Sequence, residues 1–311
     1  MQGKYLSLAP LVCWRSSPRP LDLGTLFGRQ APVVLEIGFG NGEFLVRTAS
    51  AEREKNFLGI DLEWKSVRRA LRRAAQEKLT NLRVMQGDAR QMVEWSLSSD
   101  CLSQVTILFP CPWPKRRHER HRLFSVEFLG LLRHRLKPDG GIWIVTDFEP
   151  LFQQIQANAP AAGYKIQTRT VPASLNTKYE RRWTSEGQQE FFESWLYPEG
   201  PAPPAPRPAE VPVRTYVVKE FPDRWNLPET VAEGAFRVQF RDLVFDRERQ
   251  KAMVRVFVVE EPLHQDLWIE LTPSEGAWHL RPAPGCVFYP TRGVQRALDA
   301  LHQTFDRSCR R

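Results

Sequence analysis

The sequence predicts an α/β protein whose first domain is a doubly wound, mostly parallel sheet and whose second is a small α+β domain. Up to residue 197, apolar runs alternate with helical patterns, as strands and helices do in such a sheet. After residue 212, strand-like runs follow one another without helices between them, which favours antiparallel pairing. A chain of 311 residues is long enough for about two such domains.

The first domain, residues 1–197, contains apolar runs with the pattern of strands. They are PVVLEIG, NFLGIDL, LRVMQGD, VTILFP and GIWIVTD. Helical patterns separate them after Gly42, over residues 64–79 and near residues 125–136. Because parallel strands end at the same edge of a sheet, we expect the loops after these runs to share one surface, where doubly wound sheets bind their ligands.

A proline-rich segment, residues 198–212, separates the two domains. Seven of its fifteen residues are proline, which predicts an extended, semi-rigid linker. The accessory domain, residues 213–311, contains the runs TYVVKEF, FRVQFRDLVF, KAMVRVFVVEE and DLWIEL, followed by a helical pattern from Thr291 to about Phe305. We recognise no catalytic constellation in this domain.

The composition limits the class of protein. The chain is 42% hydrophobic and 26% charged, and no apolar run approaches the ~20 residues of a membrane span, so we expect a globular protein without a membrane partner. The N-terminus lacks the apolar region of a signal peptide, and the five cysteines show no paired spacing. These features predict a cytoplasmic protein without a zinc site. The net charge of +8 favours polyanionic partners.

Glycines at alternate positions follow the first strand. Gly38, Gly40 and Gly42 let the backbone turn sharply and approach a ligand closely. Asp61 closes the second run and Asp88 the third, where carboxylates can meet ribose hydroxyls and an adenine amino group. Each acid alone is more simply a cap or a turn residue, but the set together with the glycines favours a nucleotide-like cofactor.

Glu36, just before the glycine loop, distinguishes two classes of cofactor. A dinucleotide needs G-x-G-x-x-G and room for a pyrophosphate, whereas this loop is G-x-G-x-G and is preceded by an acid that repels phosphate. S-adenosylmethionine has no phosphate and carries a sulfonium cation and an amino group. The loop therefore favours S-adenosylmethionine.

Two cationic segments predict a polyanionic substrate. The proline-containing loop after VTILFP carries five lysines or arginines between Lys115 and Arg122. In the helical pattern of residues 64–79, arginines four positions apart, such as Arg68 and Arg72, share a face and repel each other. A solvated charged helix is the ordinary explanation, but a phosphate backbone would offset the repulsion.

These motifs resemble those of the bacterial tRNA (guanine-N7)-methyltransferases over about residues 33–197. The resemblance is carried by LEIGFGNG, FLGIDLEW, NLRVMQGDAR, FPCPWPKRRHERHRLF, LKPDGGIWIVTDFEP and TKYERRW. It implies a seven-stranded methyltransferase sheet and methyl transfer from S-adenosylmethionine to N7 of the guanine at tRNA position 46.

The site residues follow from the glycine loop and the resemblance together. We assign to the cofactor Glu36, Gly38, Gly40, Gly42, Asp61, Asp88 and Cys111. The resemblance assigns to the tRNA Lys115, Asp147, Thr177, Lys178, Tyr179 and Glu180. We expect Glu180 to select guanine, because a carboxylate can accept hydrogen bonds from both N1–H and the N2 amino group. The alternatives are a surface ion pair of Glu180 with Arg181 or Arg182 and a helix cap for Asp147. Thr177 could instead cap the Tyr179 region or hold the cofactor carboxylate by its hydroxyl.

One position departs from the family pattern. The family has Phe-Pro-Asp-Pro-Trp, whose aspartate belongs to the cofactor and catalytic site, and this chain has Cys111 in its place. Guanine N7 carries a lone pair and no proton, so attack on the methyl group needs no general base. We therefore expect Cys111 to lower activity without abolishing it. Two alternatives stay open: a methyltransferase of another RNA, and a tRNA-binding protein without turnover.

Overall fold

A computed structural model describes residues 6–111, 123–200, 210–221, 225–234 and 236–309. The chain divides into two compact units, Met1–Arg207 and Pro208–Arg311. The predicted substrate residue Lys115 lies outside the described residues, as do residues 201–209 of the predicted linker. Within the described residues, no helix is long and apolar enough to span a membrane.

The first unit alternates strands and helices along its described part. Its strands are β1 (Val33–Ile37), β2 (Asn56–Asp61), β3 (Leu82–Gln86), β4 (Leu102–Leu108), β5 (Leu136–Thr146), β6 (Tyr164–Pro172) and β7 (Glu190–Pro198). Its helices are α1 (Leu23–Phe27), α2 (Glu43–Ala51), α3 (Trp64–Gln76), α4 (Ala89–Ser96), α5 (Val126–Arg135), α6 (Glu149–Ala161) and α7 (Lys178–Ser185).

These seven strands form one sheet in the order β3-β2-β1-β4-β5-β7-β6. The pairs among β1 to β5 are parallel, and β7 runs antiparallel between β5 and β6. The predicted doubly wound, mostly parallel sheet of seven strands is therefore confirmed. Because β1 to β4 run in the same direction, the loops that follow them meet at one edge of the sheet.

Burial explains why these residues form these elements. Every residue of β1 is buried, as expected for a strand covered on both faces. Helix α3 buries residues that recur every three or four positions: Val67, Ala70, Leu71 and Ala74. The same spacing turns Arg68, Arg69 and Arg72 toward solvent, where all three are exposed.

The second unit is an antiparallel sheet with one long helix. Its elements are β8 (Tyr216–Val218), β9 (Val231–Glu233), β10 (Phe236–Asp246), β11 (Lys251–Glu260), β12 (Leu263–Ser274), β13 (Ala277–Pro282) and α8 (Arg292–Cys309). The strand order is β8-β13-β12-β11-β10-β9. Alternate residues of β11, such as Val254 and Val256, share a core with Leu298 and Leu301 of α8. The predicted small α+β domain is confirmed.

Candidate functional site

The glycine loop joins β1 to α2. Gly38, Gly40 and Gly42 have φ angles of 73°, 55° and 74°, in the left-handed region that glycine adopts without strain. A Cβ on Gly42 would lie 2.8 Å from the Cβ of Ala70, so this glycine lets α2 pack closely against α3. Gly38 and Gly40 instead line a cavity at the edge of the sheet. The third glycine thus has a packing role.

Asp61 ends β2 and holds the glycine loop in place. Its Oδ2 accepts a hydrogen bond from the backbone N–H of Gly40 at 2.8 Å, and its Oδ1 accepts one from the backbone N–H of Glu63 at 2.9 Å. Burial raises the pKa of Asp61, although these hydrogen bonds act in the opposite direction. Each carboxylate oxygen has a second lone pair, so Asp61 can also accept hydrogen bonds from a ligand.

Glu36 lies inside β1 and is only 4% exposed. It lines a small cavity beside Gly40 and Thr177. Burial, with a further contribution from the charge of Asp61, raises the pKa of Glu36 to about 8, while Arg47 acts in the opposite direction. The free carboxyl group is therefore mostly protonated at neutral pH, and a cation placed against it would favour its charged form.

Asp88 is the N-cap of α4. Its carboxylate accepts a hydrogen bond from the backbone N–H of Arg90 at 2.9 Å and pairs with the Arg90 guanidinium at 2.7 Å. The capping role, which was the alternative explanation for this acid, is therefore present. Asp88 also lines the cavity at the sheet edge, and 26% of its side chain stays exposed. The two roles are compatible.

The cavity at the sheet edge has a volume of about 300 Å³. It is lined, among others, by Gly38, Gly40, Asp61, Asp88, Cys111 and Tyr179. This volume is at the lower end of the range for small-molecule sites. The adjoining cavity that contains Glu36 shares Gly38, Gly40 and Tyr179 with it. The structure thus brings the predicted cofactor residues together, Gly42 excepted.

Thr177 caps α7, and the Glu180 side chain binds the loop before this helix. The Oγ1 of Thr177 accepts a hydrogen bond from the backbone N–H of Glu180 at 3.1 Å. The Glu180 carboxylate accepts hydrogen bonds from the backbone N–H groups of Ser174 at 2.8 Å, of Leu175 at 2.9 Å, and of Asn176. The bond to Thr177 is one half of a capping box, but the Glu180 carboxylate binds the three residues before the N-cap and not the backbone N–H of Thr177.

The hydrogen bonds of the Glu180 carboxylate change the interpretation of this motif. Glu180 is 3% exposed, so the alternative of a surface ion pair does not describe it. Its Oε1 already accepts two of these bonds and its Oε2 accepts one, so the buried carboxylate would have to give up part of this set before it could accept hydrogen bonds from both N1–H and the N2 amino group of guanine. Lys178 and Tyr179 are exposed between Thr177 and Glu180. They are the side chains of the motif that a substrate can reach directly.

Asp147 follows β5 at the same edge of the sheet. Burial raises the pKa of its carboxyl group, and its backbone carbonyl accepts a hydrogen bond from Nε2 of Gln188 at 3.2 Å. The N-cap of α6 is Phe148, and no side chain caps this helix. The alternative explanation of Asp147 as a cap is therefore wrong. Asp147 does not line either of the two cavities described above.

An ion-pair network beside the glycine loop has no signal in the sequence. The Glu43 carboxylate pairs with Arg73 of α3 at 3.0 Å and with Arg181 of α7 at 2.8 Å. Arg181 is 138 positions from Glu43, so no local spacing indicates the contact. On its outer side the network borders an open cleft of about 530 Å³, which does not contain the acids of the cofactor cavity.

Comparison with known proteins identifies a family that matches much of the first unit and relatives that cover more than half of the chain. A family described as "Putative methyltransferase" matches residues 30–193. A tRNA (guanine-N(7)-)-methyltransferase of Thermus thermophilus is 34% identical over 262 residues, covering 82% of this chain and 83% of that protein. The enzyme of the same name from Nitrosococcus oceani is 39% identical over 179 residues, covering 57% and 74%.

Solved structures give a more distant likeness. The 16S rRNA methyltransferase KamB is 17% identical, with a TM-score of 0.46, and the match covers 57% of this chain and 93% of that chain.

Proposed function

The chain belongs to the tRNA (guanine-N7)-methyltransferase family, and from that premise we propose that it transfers the methyl group of S-adenosylmethionine to N7 of the guanine at position 46 of tRNA. The observation that carries the proposal is the 300 Å³ cavity at which the glycine loop meets Asp61, Asp88 and Cys111. Its position at the carboxyl edge of the strands is where doubly wound sheets bind their ligands.

The charges around the two cavities fit S-adenosylmethionine. When bound, this cofactor supplies a methyl group on a positively charged sulfur, and its amino group is a second cation. Among the described residues that line the larger cavity, Arg90 is the one Lys or Arg, and it is paired with Asp88. The small cavity that contains Glu36 is also lined by Lys178, which is exposed. We propose that Asp61 and the buried Glu36 face the cationic ligand, and Asp61 can accept hydrogen bonds from ribose hydroxyls.

In the proposed reaction, the main task of the protein is to align guanine N7 with the methyl group of the cofactor. Guanine N7 has an in-plane lone pair and no proton, so no residue has to act as a general base. The site has to hold N7 in line with the methyl group. A carboxylate near the purine would stabilise the positive charge that arrives on it, and Cys111 occupies the place where the family has that carboxylate. We therefore propose a functional enzyme with a reduced rate.

Two exposed surfaces support tRNA as the substrate. Lys178 and Tyr179 project from the start of α7, and Tyr179 lines the cofactor cavity, so a base that reaches the cavity would meet this side chain. The exposed arginines Arg68 and Arg72 stand on α3, which follows Asp61 in the chain. We propose that α3 contacts phosphates, while α7 contacts the nucleotide that is methylated.

Mass spectrometry of nucleosides tests the proposal. Unmodified tRNA transcripts are incubated with the protein and S-adenosylmethionine, digested, and analysed for 7-methylguanosine. We expect one methylated guanosine per transcript, and none in a transcript in which guanine 46 is replaced by adenine. Methylation that persists in the replaced transcript would contradict position 46.

The place of Cys111 in the cavity favours a second candidate, a tRNA-binding protein without turnover. Cofactor binding separates the two candidates, because an enzyme must bind S-adenosylmethionine and a mere binding protein need not. A calorimetric titration that detects tRNA binding without cofactor binding would support this second candidate.

A further inference from the structure

Glu43 is the first residue of α2 and comes directly after the glycine loop. Its Oε1 accepts a hydrogen bond from Nη2 of Arg73 on α3, and its Oε2 accepts one from Nη2 of Arg181 on α7. Arg73 is tied to the loop a second time, because its Nε donates to the backbone carbonyl of Asn41 at 3.2 Å. One carboxylate thus connects the glycine loop with two helices.

Arginines also hold the chain just before α7. Nη1 of Arg181 donates to the backbone carbonyl of Asn176 at 2.6 Å and to the Oδ1 of its side chain at 3.0 Å. The guanidinium of Arg47, on α2, donates to the backbone carbonyl of Leu175. Together with the hydrogen bonds that the Glu180 carboxylate accepts, these contacts hold residues 174–176 against both α7 and α2.

The fastened segment leads directly to Tyr179. A Cβ on Gly40 would lie 3.5 Å from Cε2 of Tyr179, so the ring stands next to the glycine loop. Tyr179 lines both the larger cavity and the small cavity that contains Glu36, yet 44% of its surface is exposed. The Tyr179 ring therefore lies between the predicted cofactor residues and solvent. The position of this ring depends on where α7 begins.

The ion pairs of Glu43 contribute little to the free energy of folding, but they can fix the position of a short segment. The Arg181 side chain is 48% exposed and that of Glu43 is 22% exposed, and ion pairs at such exposure add little to folding. A weak contact can still decide the position of a short segment, since a small free-energy difference changes the populations of two positions several-fold. Although burial opposes ionisation, the hydrogen bond from Arg181 helps to lower the pKa of Glu43, so the acceptor is charged at neutral pH.

We propose that Glu43 is a positioning residue that, through Arg181, couples the glycine loop to the segment of residues 174–179 and so sets the position of Tyr179 at the cofactor cavity. This inference rests on the proposed function, because it assigns Tyr179 to the site at which tRNA meets the cofactor. On this proposal the reaction depends on Glu43 and Arg181, although neither residue contacts the predicted cofactor acids or the base that is methylated.

The test is a double-substitution cycle with Glu43→Gln, Arg181→Gln and both together. We expect each single change to raise the KM for tRNA about tenfold while kcat at saturating tRNA changes little, because bound tRNA pulls the segment back into position. The double variant should resemble either single one, and Arg181→Lys should restore part of the loss. Effects that simply multiply in the double variant would overturn the coupling.

Arg182→Gln is the matched control. Arg182 is the next residue of α7 and pairs with Glu186 four positions later, so this change removes the same charge without touching α2. We expect its KM to stay near that of the wild type. If Arg182→Gln and Arg181→Gln raise KM equally, the effect is one of net charge and the positioning role is overturned.

Hydrogen exchange separates this inference from the proposed function. Peptides covering residues 174–181 should take up deuterium faster in Glu43→Gln than in the wild type, while the overall melting temperature changes little. Unchanged uptake in this segment would overturn the positioning role whether or not the protein methylates tRNA. Conversely, a wild-type protein that modifies no tRNA would refute the proposed function, and the exchange experiment would still decide the role of Glu43.

Discussion

At the scale of single residues, Glu36 links protonation to the cofactor site. Burial raises its pKa from an ordinary 4.5 to about 8 in the folded protein. The folded state therefore binds the Glu36 proton more tightly than the unfolded state does. The stability that this proton contributes is fully present below pH 4.5 and is lost as the pH rises through 8. Between about pH 6 and about pH 9, we expect melting temperatures to fall further for the cofactor-free wild type than for Glu36→Gln, which cannot titrate. Equal falls would contradict this prediction.

The same substitution should weaken the binding of S-adenosylmethionine, because an amide cannot carry the charge that a cationic ligand favours. The matched control is Glu94→Gln. Burial raises the pKa of this carboxyl group too, but Glu94 does not line either cavity of the candidate cofactor site. Calorimetric titration should show lost affinity in the first variant only, and equal losses in both would remove Glu36 from the site.

Cys111 tests the electrostatic part of the reaction. If this chain lacks a carboxylate that would stabilise positive charge on the purine, Cys111→Asp should raise the methylation rate at saturating substrates by about tenfold. Cys111→Ser is the control, because it changes the atom and adds no charge. If the Cys111 thiol instead accepted the methyl group during the reaction, Cys111→Asp would be inactive. In that case a methylated Cys111 would appear in the mass spectrum of the wild-type protein. An unchanged rate would argue against both roles.

Glu180 has two roles that one substitution can distinguish. In Glu180→Gln, the amide group places a donor against backbone N–H groups that also donate, so we expect a loss of stability of about 1–3 kcal/mol and faster exchange in residues 174–176. The control is Glu186→Gln, at the exposed end of α7. If turnover were lost while the free energy of unfolding and the hydrogen exchange of residues 174–176 stayed unchanged, the role of Glu180 in holding this segment would be refuted. The prediction that Glu180 reads the guanine base would then be supported.

At the scale of elements, α3 is the clearest candidate for phosphate contacts. Arg68 and Arg72 are exposed one turn apart. Reversing both charges should weaken tRNA binding and reduce the slope of log affinity against log salt by roughly 1.4 to 1.8, if each arginine neutralises one phosphate. Affinity for S-adenosylmethionine should not change. Reversal of Lys165, on the opposite edge strand β6, together with Lys137, at the start of β5, is the control, and an equal effect there would show that only net charge matters.

Most of the elements could be predicted because their patterns are local. The continuous apolar run of β1 indicates a strand buried on both faces, and the spacing of buried residues in α3 gives the helix its inner face. No predicted run corresponds to β6 and β7 of the first sheet or to β9 and β13 of the second. β9 has three partly or fully exposed residues, and in β13 only Leu280 is buried, so neither has the alternation that signals a strand.

The candidate site was less predictable because its contacts join distant parts of the chain. The meeting of Asp61 with the glycine loop follows from the rule that parallel strands end at one edge. The T-x-x-E pattern from Thr177 to Glu180 is local and predicts the cap that Thr177 makes, but it does not predict that the Glu180 carboxylate binds the N–H groups of residues 174–176. The base-reading role of Glu180 stays a prediction. The pairing of Glu43 with Arg181 could not be predicted, since nothing local links two charges 138 positions apart.

At the scale of the whole molecule, each unit has a core of its own. One core cluster of the first unit contains Val46 and Leu71, and the core of the second contains Val256 and Leu298. All the described candidate residues lie between positions 36 and 180, and the family match ends at residue 193. The described residues of the candidate cofactor site therefore all belong to the first unit.

Truncation after Arg207 tests whether the first unit binds the cofactor without the second. Because a separate core predicts separate folding, we expect the fragment to melt cooperatively and to bind S-adenosylmethionine as tightly as the full chain does. Asp61→Ala in the fragment is the control and should weaken binding by about 1.5 to 3 kcal/mol, the range for charge-assisted hydrogen bonds. A fragment that fails to fold would show that the first unit depends on the second. A fragment that binds the cofactor normally but has a higher KM for tRNA would assign the second unit to recognition of the RNA.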